Sequence, residues 1–227
     1  LFLPQMRMEL PVLVERSRVA EASGFVGIAL MDHLAPPMAL EQPMYEAMTT
    51  ATWLAAHTET LIVGHLVLCD AFRHPAVLAR QAVTIDHASG GRFELGIGWG
   101  SVPAEFETYG VGDTAAASRV RRLSETLATV RAMWTGEPFD LDGEFFQLVA
   151  AQQLPRPLTR IPIVIGGAGP KTLRLVADHA DWWNLPVYAL DRLDELRPST
   201  GSARVSVQEM VGMIADESQR AEVEATF

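Results

Sequence analysis

Val26-Gly27-Ile28-Ala29-Leu30-Met31 is six apolar residues in a row, and the run stops at Asp32-His33. A run without two-residue alternation describes a strand covered on both faces, the habit of a parallel sheet. Leu61-Ile-Val-Gly-His-Leu-Val-Leu68, Phe93-Glu-Leu-Gly-Ile97 and Ile161-Pro-Ile-Val-Ile165 repeat the type. Leu1-Phe2-Leu3, Trp182-Trp-Asn-Leu185 and Arg204-Val-Ser-Val207 are weaker strand candidates. Between these runs the pattern turns helical. Val120, Leu123, Leu127, Val130 and Trp134 fall three and four apart, the apolar stripe of an amphipathic helix. Further helices are predicted from Pro11 to Ala22, stopped by Gly24, from Pro75 through Ile85, and from Pro170 through Ala180. Proline suits the first helical turn, because an amide there has no intrahelical partner.

Repeated strand-helix units with short links give a parallel sheet, either closed as a barrel or open and doubly wound. Seven strand candidates fall within 227 residues, whereas an eight-stranded barrel takes about 250. The chain opens directly on Leu1-Phe2-Leu3-Pro4 and ends in an acidic helical stretch. A barrel whose last strand lies beyond Phe227 accounts for both. Phe139-Asp-Leu-Asp142-Gly143-Glu-Phe-Phe-Gln-Leu148 interrupts the alternation, and its Asp-Gly between apolar arms signals a hairpin. We read it as an insertion into a single domain spanning residues 1–227.

Composition narrows the function classes. Lys and Arg number 18 against 28 Asp and Glu, a formal charge of −10, so no nucleic-acid partner is expected. Cys69 is the one cysteine, which excludes an intrachain disulfide. No apolar run approaches the ~20 residues of a membrane span, and no signal-peptide pattern opens the chain; a cytoplasmic protein is expected. The six histidines show neither H-E-x-x-H nor paired Cys/His spacing, so no metal site is expected.

In parallel α/β folds the chemistry gathers at the C-terminal ends of strands. Asp32-His33 is the first such end, and a histidine there is placed for proton transfer; a polar loop start is the plainer alternative. Gly96-Ile-Gly98-Trp99-Gly100-Ser101 is the second, where glycines admit a planar ring or phosphate close to the backbone. Ser101 stands where a dinucleotide fingerprint needs its third glycine. The third is Gly166-Gly167-Ala168-Gly169-Pro170-Lys171-Thr172, where backbone amides at a helix start suit an anion. Pro170 excludes a Walker loop.

Arg73-His-Pro-Ala-Val-Leu-Ala-Arg80, Asp86-His-Ala-Ser-Gly-Gly-Arg92 and Phe93 to Gly100 together resemble the luciferase-like monooxygenase superfamily. The likeness continues through Phe145, Pro155-Arg-Pro157, Ile163 to Pro170 and Ala180-Asp-Trp-Trp-Asn184. It implies a TIM (β/α)8 barrel of the bacterial luciferase-like type, with a flavin or deazaflavin ring at its mouth and the phosphate at Gly166, Gly167, Ala168 and Gly169. The chain looks most like the branch that uses the deazaflavin coenzyme F420. There, Asp32 and His33 match the catalytic strand end. Leu66-Val67 matches a non-prolyl cis peptide behind the ring, and Trp99-Gly100 a pair contacting ring or phosphate. Where sugar-phosphate dehydrogenases of that branch carry an acid, this chain has Ser101; Glu105 would serve only if the loop Val102–Ser118 folds back.

The resemblance therefore implies hydride transfer between coenzyme F420 and a small organic substrate. The alternatives are an FMN-dependent monooxygenase using oxygen, or a flavin-binding barrel without catalysis. Arg73, Arg80, Lys171 and Arg174 are expected to offer the anionic cofactor positive charge, and the enzyme is expected to be a homodimer.

Overall fold

A computed structural model describes residues 1–37, 39–211, 214 and 216–221. The continuous apolar runs become parallel strands: β1 (Gly27–Leu30), β2 (Ile62–His65), β3 (Leu68–Cys69), β4 (Phe93–Gly98), β7 (Ile163–Gly166), β8 (Trp182–Leu185) and β9 (Arg204–Val207). They lie in the order β1-β2-β4-β7-β8-β9, with β3 also on β4, and every named pair among them is parallel. The predicted strand Leu1–Leu3 is reduced to a parallel bridge from Phe2 to Ala29 on the free side of β1. No described strand joins β9 back to Phe2, so the sheet is an open curl, an α/β half-barrel. The acidic helical stretch expected at the C-terminus lies largely outside the described residues.

Helices cover the outer face: α1 (Leu10–Ala22), α2 (Ala47–His57), α3 (Pro75–Ser89), α5 (Ala116–Trp134) and α6 (Pro170–His179). Leu123, Leu127 and Val130 of the α5 stripe are fully buried, as are Leu78, Ala82 and Ile85 of α3. Three helices were not expected, one of them the single turn α7 (Leu193–Leu196). In α2, Ala47, Met48, Thr50, Ala51, Leu54 and Ala55 form one buried face, but the outer face carries Trp53 and Ala56 and the helix has no Asp, Glu, Lys or Arg, so polar contrast is missing; the Glu46 carboxylate caps it in place of a hydroxyl or Asx side chain. The stretch read as a long loop holds α4 (Pro103–Tyr109). The hairpin forms as β5 (Phe139–Asp142) and β6 (Gln147–Ala151). Its turn is longer than two residues, because Glu125 of α5 accepts the amides of Glu144, Phe145 and Phe146.

The run Leu61–Leu68 is not one strand. Gly64 pairs with Glu94 and Leu68 with Ile97, so four steps on one side face three on the other. That is a one-residue bulge, and it holds the Leu66–Val67 peptide, which is cis. Across it the His65 carbonyl faces Gly96 so closely that a β-carbon on Gly96 would overlap the oxygen.

The Asp86–Arg92 motif sits at the opposite, N-terminal end of the strands and works as a brace. Gly90 ends α3 in the left-handed region, φ 66°. The Arg92 guanidinium donates to the carbonyls of Leu61, Ala55 and Thr58 at 2.6, 2.9 and 3.0 Å, closing the end of α2 onto the sheet. Asp86 accepts the amides of Leu158 and Thr159. No described helix is long and apolar enough to cross a membrane.

Two outcomes follow from this packing. Gly96→Ala should cost about 3 kcal/mol or more in denaturant unfolding, since the obstacle is backbone. Gly90→Ala, with open space around it, should cost only about 1 kcal/mol for its backbone conformation. Equal losses would contradict the close approach at Gly96. The second concerns His65, which is 2% exposed and holds the Ala47 carbonyl at 3.2 Å through Nε2. Burial lowers its pKa from 6.5 to about 4, against the pull of Asp32. Between those values the unfolded chain binds the extra proton, so stability falls as pH drops through the window, by up to about 1.4 kcal/mol per pH unit. His65→Gln should flatten that slope; parallel acid profiles for both proteins would assign it to another group.

Candidate active site at the C-terminal ends of the strands

The strand ends of β1, β3, β4 and β7 meet on one side of the sheet. At the end of β1, Asp32 is 6% exposed and fully engaged. Its carboxylate accepts the Cys69 amide at 2.8 Å and the Arg73 guanidinium at 2.6 and 3.0 Å. Arg73 also pairs with Glu46. Burial raises the Glu46 carboxyl, but the Thr49 amide and the Arg73 guanidinium outweigh it and bring it down to about 2. Arg73 is therefore neutralised by two carboxylates, which corrects the expectation that it serves the cofactor's charge. Cys69 is a buried thiol, pushed up to about 12 by desolvation, and is not a nucleophile here.

The next residue points to a different partner. His33 Nδ1 lies 2.8 Å from Glu105 Oε2. Glu105 Oε1 accepts the Leu34 amide at 2.7 Å and the Ala35 amide at 3.4 Å. A carboxylate oxygen accepts, so this contact places a proton on Nδ1 and turns Nε2 away from Glu105. Nε2 has no partner among the described residues. Glu105 reaches His33 because the segment after Gly100 does fold back, as α4. Pro103 and Glu105 at its first turn are a legible helix start.

The glycine positions form the floor. Val67 sits against Gly98, where a β-carbon would come 2.9 Å from its Cγ2, and opposite Gly166, where one would lie 3.8 Å from both methyls. Gly100 has φ 84°, and a side chain there would strike Phe106 and Cys69. Trp99 Nε1 donates to Thr172 Oγ1 at 3.2 Å, joining the β4 end to the start of α6. Gly167, φ 127°, is held by its amide on the Asn184 carbonyl and by Trp183 Nε1 on its own carbonyl. Gly169 is the N-cap of α6 and Pro170 opens it. The amides of Ala168 and Gly169 make no hydrogen bond among the described residues, and Lys171 and Arg174 are exposed beside them.

The residues therefore suit a cofactor with a flat ring and an anionic arm. Gly98, Gly166 and Val67 leave a side-chain-poor floor, and the start of α6 leaves amide donors for a phosphate. Of the residues singled out from sequence, His33, Leu66, Val67, Trp99, Gly100, Gly166, Gly167, Ala168 and Gly169 all fall on this side. Asp32 falls here too, with its oxygens committed to Arg73 and Cys69. Thr172 lies in the Gly166–Thr172 segment singled out from sequence, without a role of its own there, and Arg119 was not anticipated.

Comparison with known proteins agrees with this arrangement. Residues 3–200 match the family model described as luciferase-like monooxygenase. The F420-dependent glucose-6-phosphate dehydrogenase of Microbacterium testaceum is 34% identical over 170 residues, covering 74% of this chain and 50% of that protein. The chain thus spans about half the length of that curated relative. Two solved structures share the fold. One is an F420-dependent secondary alcohol dehydrogenase in complex with an F420-acetone adduct, with TM-score 0.79, 21% identity, and 88% of this chain and 61% of that one covered. The other is the coenzyme F420-dependent tetrahydromethanopterin reductase of Methanopyrus kandleri, with TM-score 0.81, 19% identity, and 96% and 67% covered. A parallel half-barrel with its glycine-lined floor at the strand ends, and a family match over most of its length, place this chain in the luciferase-like monooxygenase family.

Proposed function

We propose that this chain carries the catalytic face of an oxidoreductase that moves a hydride between coenzyme F420 and a small organic substrate. The observation that carries the reading is His33, fixed by Glu105 at 2.8 Å beside the Val67 and glycine floor. The F420-dependent relative supports the cofactor assignment. Bound F420 would supply two-electron hydride chemistry. Val67, Gly98 and Gly166 would receive its ring, and the amides of Ala168 and Gly169 with Lys171 its phosphate.

The proton work falls to His33. Oxidising an alcohol carbon places charge on its oxygen, and the Nε2 lone pair takes the hydroxyl proton; in the reverse direction Nε2 returns it. Glu105 keeps Nδ1–H in place and stabilises the imidazolium while it lasts. Asp32, adjoining His33, positions the strand end through Arg73. A homodimer belongs to the same reading.

A panel of small primary and secondary alcohols with F420 tests the activity. His33→Ala should lower turnover by roughly 10²–10⁴-fold while F420 affinity changes only a few-fold. Full turnover with a lowered melting temperature would make His33 a structural residue. Gly169→Asp should abolish F420 binding and leave the fold intact, because its carboxylate would face the phosphate. Unchanged affinity would remove the Gly166–Gly169 loop from the site.

A further inference from the structure

Arg119, on the first turn of α5, is 5% exposed and has no ion pair within 4.0 Å among the described residues. Its guanidinium lies 4.9 Å from the centre of the Trp99 ring and 4.6 Å from that of Phe106. Nη1 donates to the Gly100 carbonyl at 3.2 Å, and Nε is buried without a partner. A buried cation is costly; this one is compensated by two aromatic faces and a carbonyl. The three groups it touches belong to two elements, the end of β4 and the helix α4.

That helix cannot place itself. α4 has seven residues, too few to be stable alone. Its position is set by what its side chains meet. Phe106 sits under Arg119, near Phe72 with ring centres 6.2 Å apart, and against Gly100. Glu105, the residue before it, makes the contacts to His33, Leu34 and Ala35. A shift of Phe106 is therefore a shift of Glu105. Trp99, the other ring against Arg119, holds Thr172 at the start of α6.

We infer that Arg119 is a positioning residue of the reaction. By clamping Phe106 of α4 against Trp99 and Gly100, it keeps the Glu105 carboxylate on His33 Nδ1 and so fixes the tautomer that leaves Nε2 basic. The inference rests on the proposed hydride-transfer reading for its kinetic consequence, though not for its structural one. Arginine is required in place of lysine because only a planar guanidinium stacks on two rings while donating in its own plane.

The test compares wild type, Arg119→Met, Arg119→Lys, Glu105→Gln and the double variant Arg119→Met/Glu105→Gln. Two readouts are used: single-turnover hydride transfer between F420 and isopropanol, and the side-chain ¹⁵N spectrum of His33. Arg119→Met should slow hydride transfer by about tenfold to a hundredfold, as slackened catalytic geometry does. Arg119→Lys should recover little of it. The double variant should be no slower than Glu105→Gln alone, since both changes break one link. In the ¹⁵N spectrum the Nδ1–H form should dominate in wild type and give way to a tautomer mixture in Arg119→Met. Multiplied losses in the double variant, or an unchanged His33 spectrum in Arg119→Met, would overturn the inference. If Arg119→Met does not fold, Phe106→Leu removes the other half of the clamp and must give the same non-additivity and the same spectral change, and its failure to do so overturns the inference equally. A wild-type protein inactive with F420 would sink the functional reading, while the ¹⁵N spectra would still decide the role of Arg119.

Discussion

The Asp32 carboxylate is the point at which three separate stretches of chain are tied together. It ends β1, accepts the amide of Cys69 at the end of β3, and holds the Arg73 guanidinium that precedes α3. Arg73 in turn draws in Glu46, the cap of α2. Glu46 is exposed, but the Asp32–Arg73 pair is nearly dry, and there removing one partner would strand the other charge and cost about 3–5 kcal/mol. The result is a rigid corner, and His33 is the first residue beyond it. A side chain one residue past a fixed corner can be aimed, as the proposed proton transfer by His33 requires.

The His33–Glu105 pair is the second half of that device. One carboxylate oxygen takes the imidazole and the other takes the Leu34 amide, so the same group orients the ring and the loop that carries it. Corner and pair divide the labour of two carboxylates by environment. Asp32 is saturated by a cation and an amide, and Glu105 is left to serve the histidine.

Most of the fold was legible in the sequence because burial on both faces leaves a plain mark. The strands Trp182–Leu185 and Arg204–Val207 begin and end at the residues expected, and the α5 stripe packs on the core as its spacing predicts, with Leu123, Leu127 and Val130 buried and Val120 and Trp134 partly so. What escaped had a physical reason. The helix α2 has no Asp, Glu, Lys or Arg and exposes Trp53 and Ala56, so its buried face has no polar contrast, and α4 is too short to show a period. The break in Leu61–Leu68 depends on His65 meeting Gly96 across the sheet, a contact between distant residues that no local pattern encodes. One of the segments that carried the resemblance, Asp86–Arg92, proves to be a brace at the far end of the strands. Arg119 stands in unremarkable helical text, and Glu105, expected to serve only if its loop folds back, reaches His33 because α4 does so.

The central claim is that the face made by Val67, the strand-end glycines and the start of α6 receives a deazaflavin. Equilibrium titration of the purified chain with F420, followed by its fluorescence, and with FMN, followed by retention on gel filtration, tests it most directly. F420 fluorescence should change saturably, and no FMN should be retained. Stoichiometric retention of FMN with F420 fluorescence unaffected would contradict it.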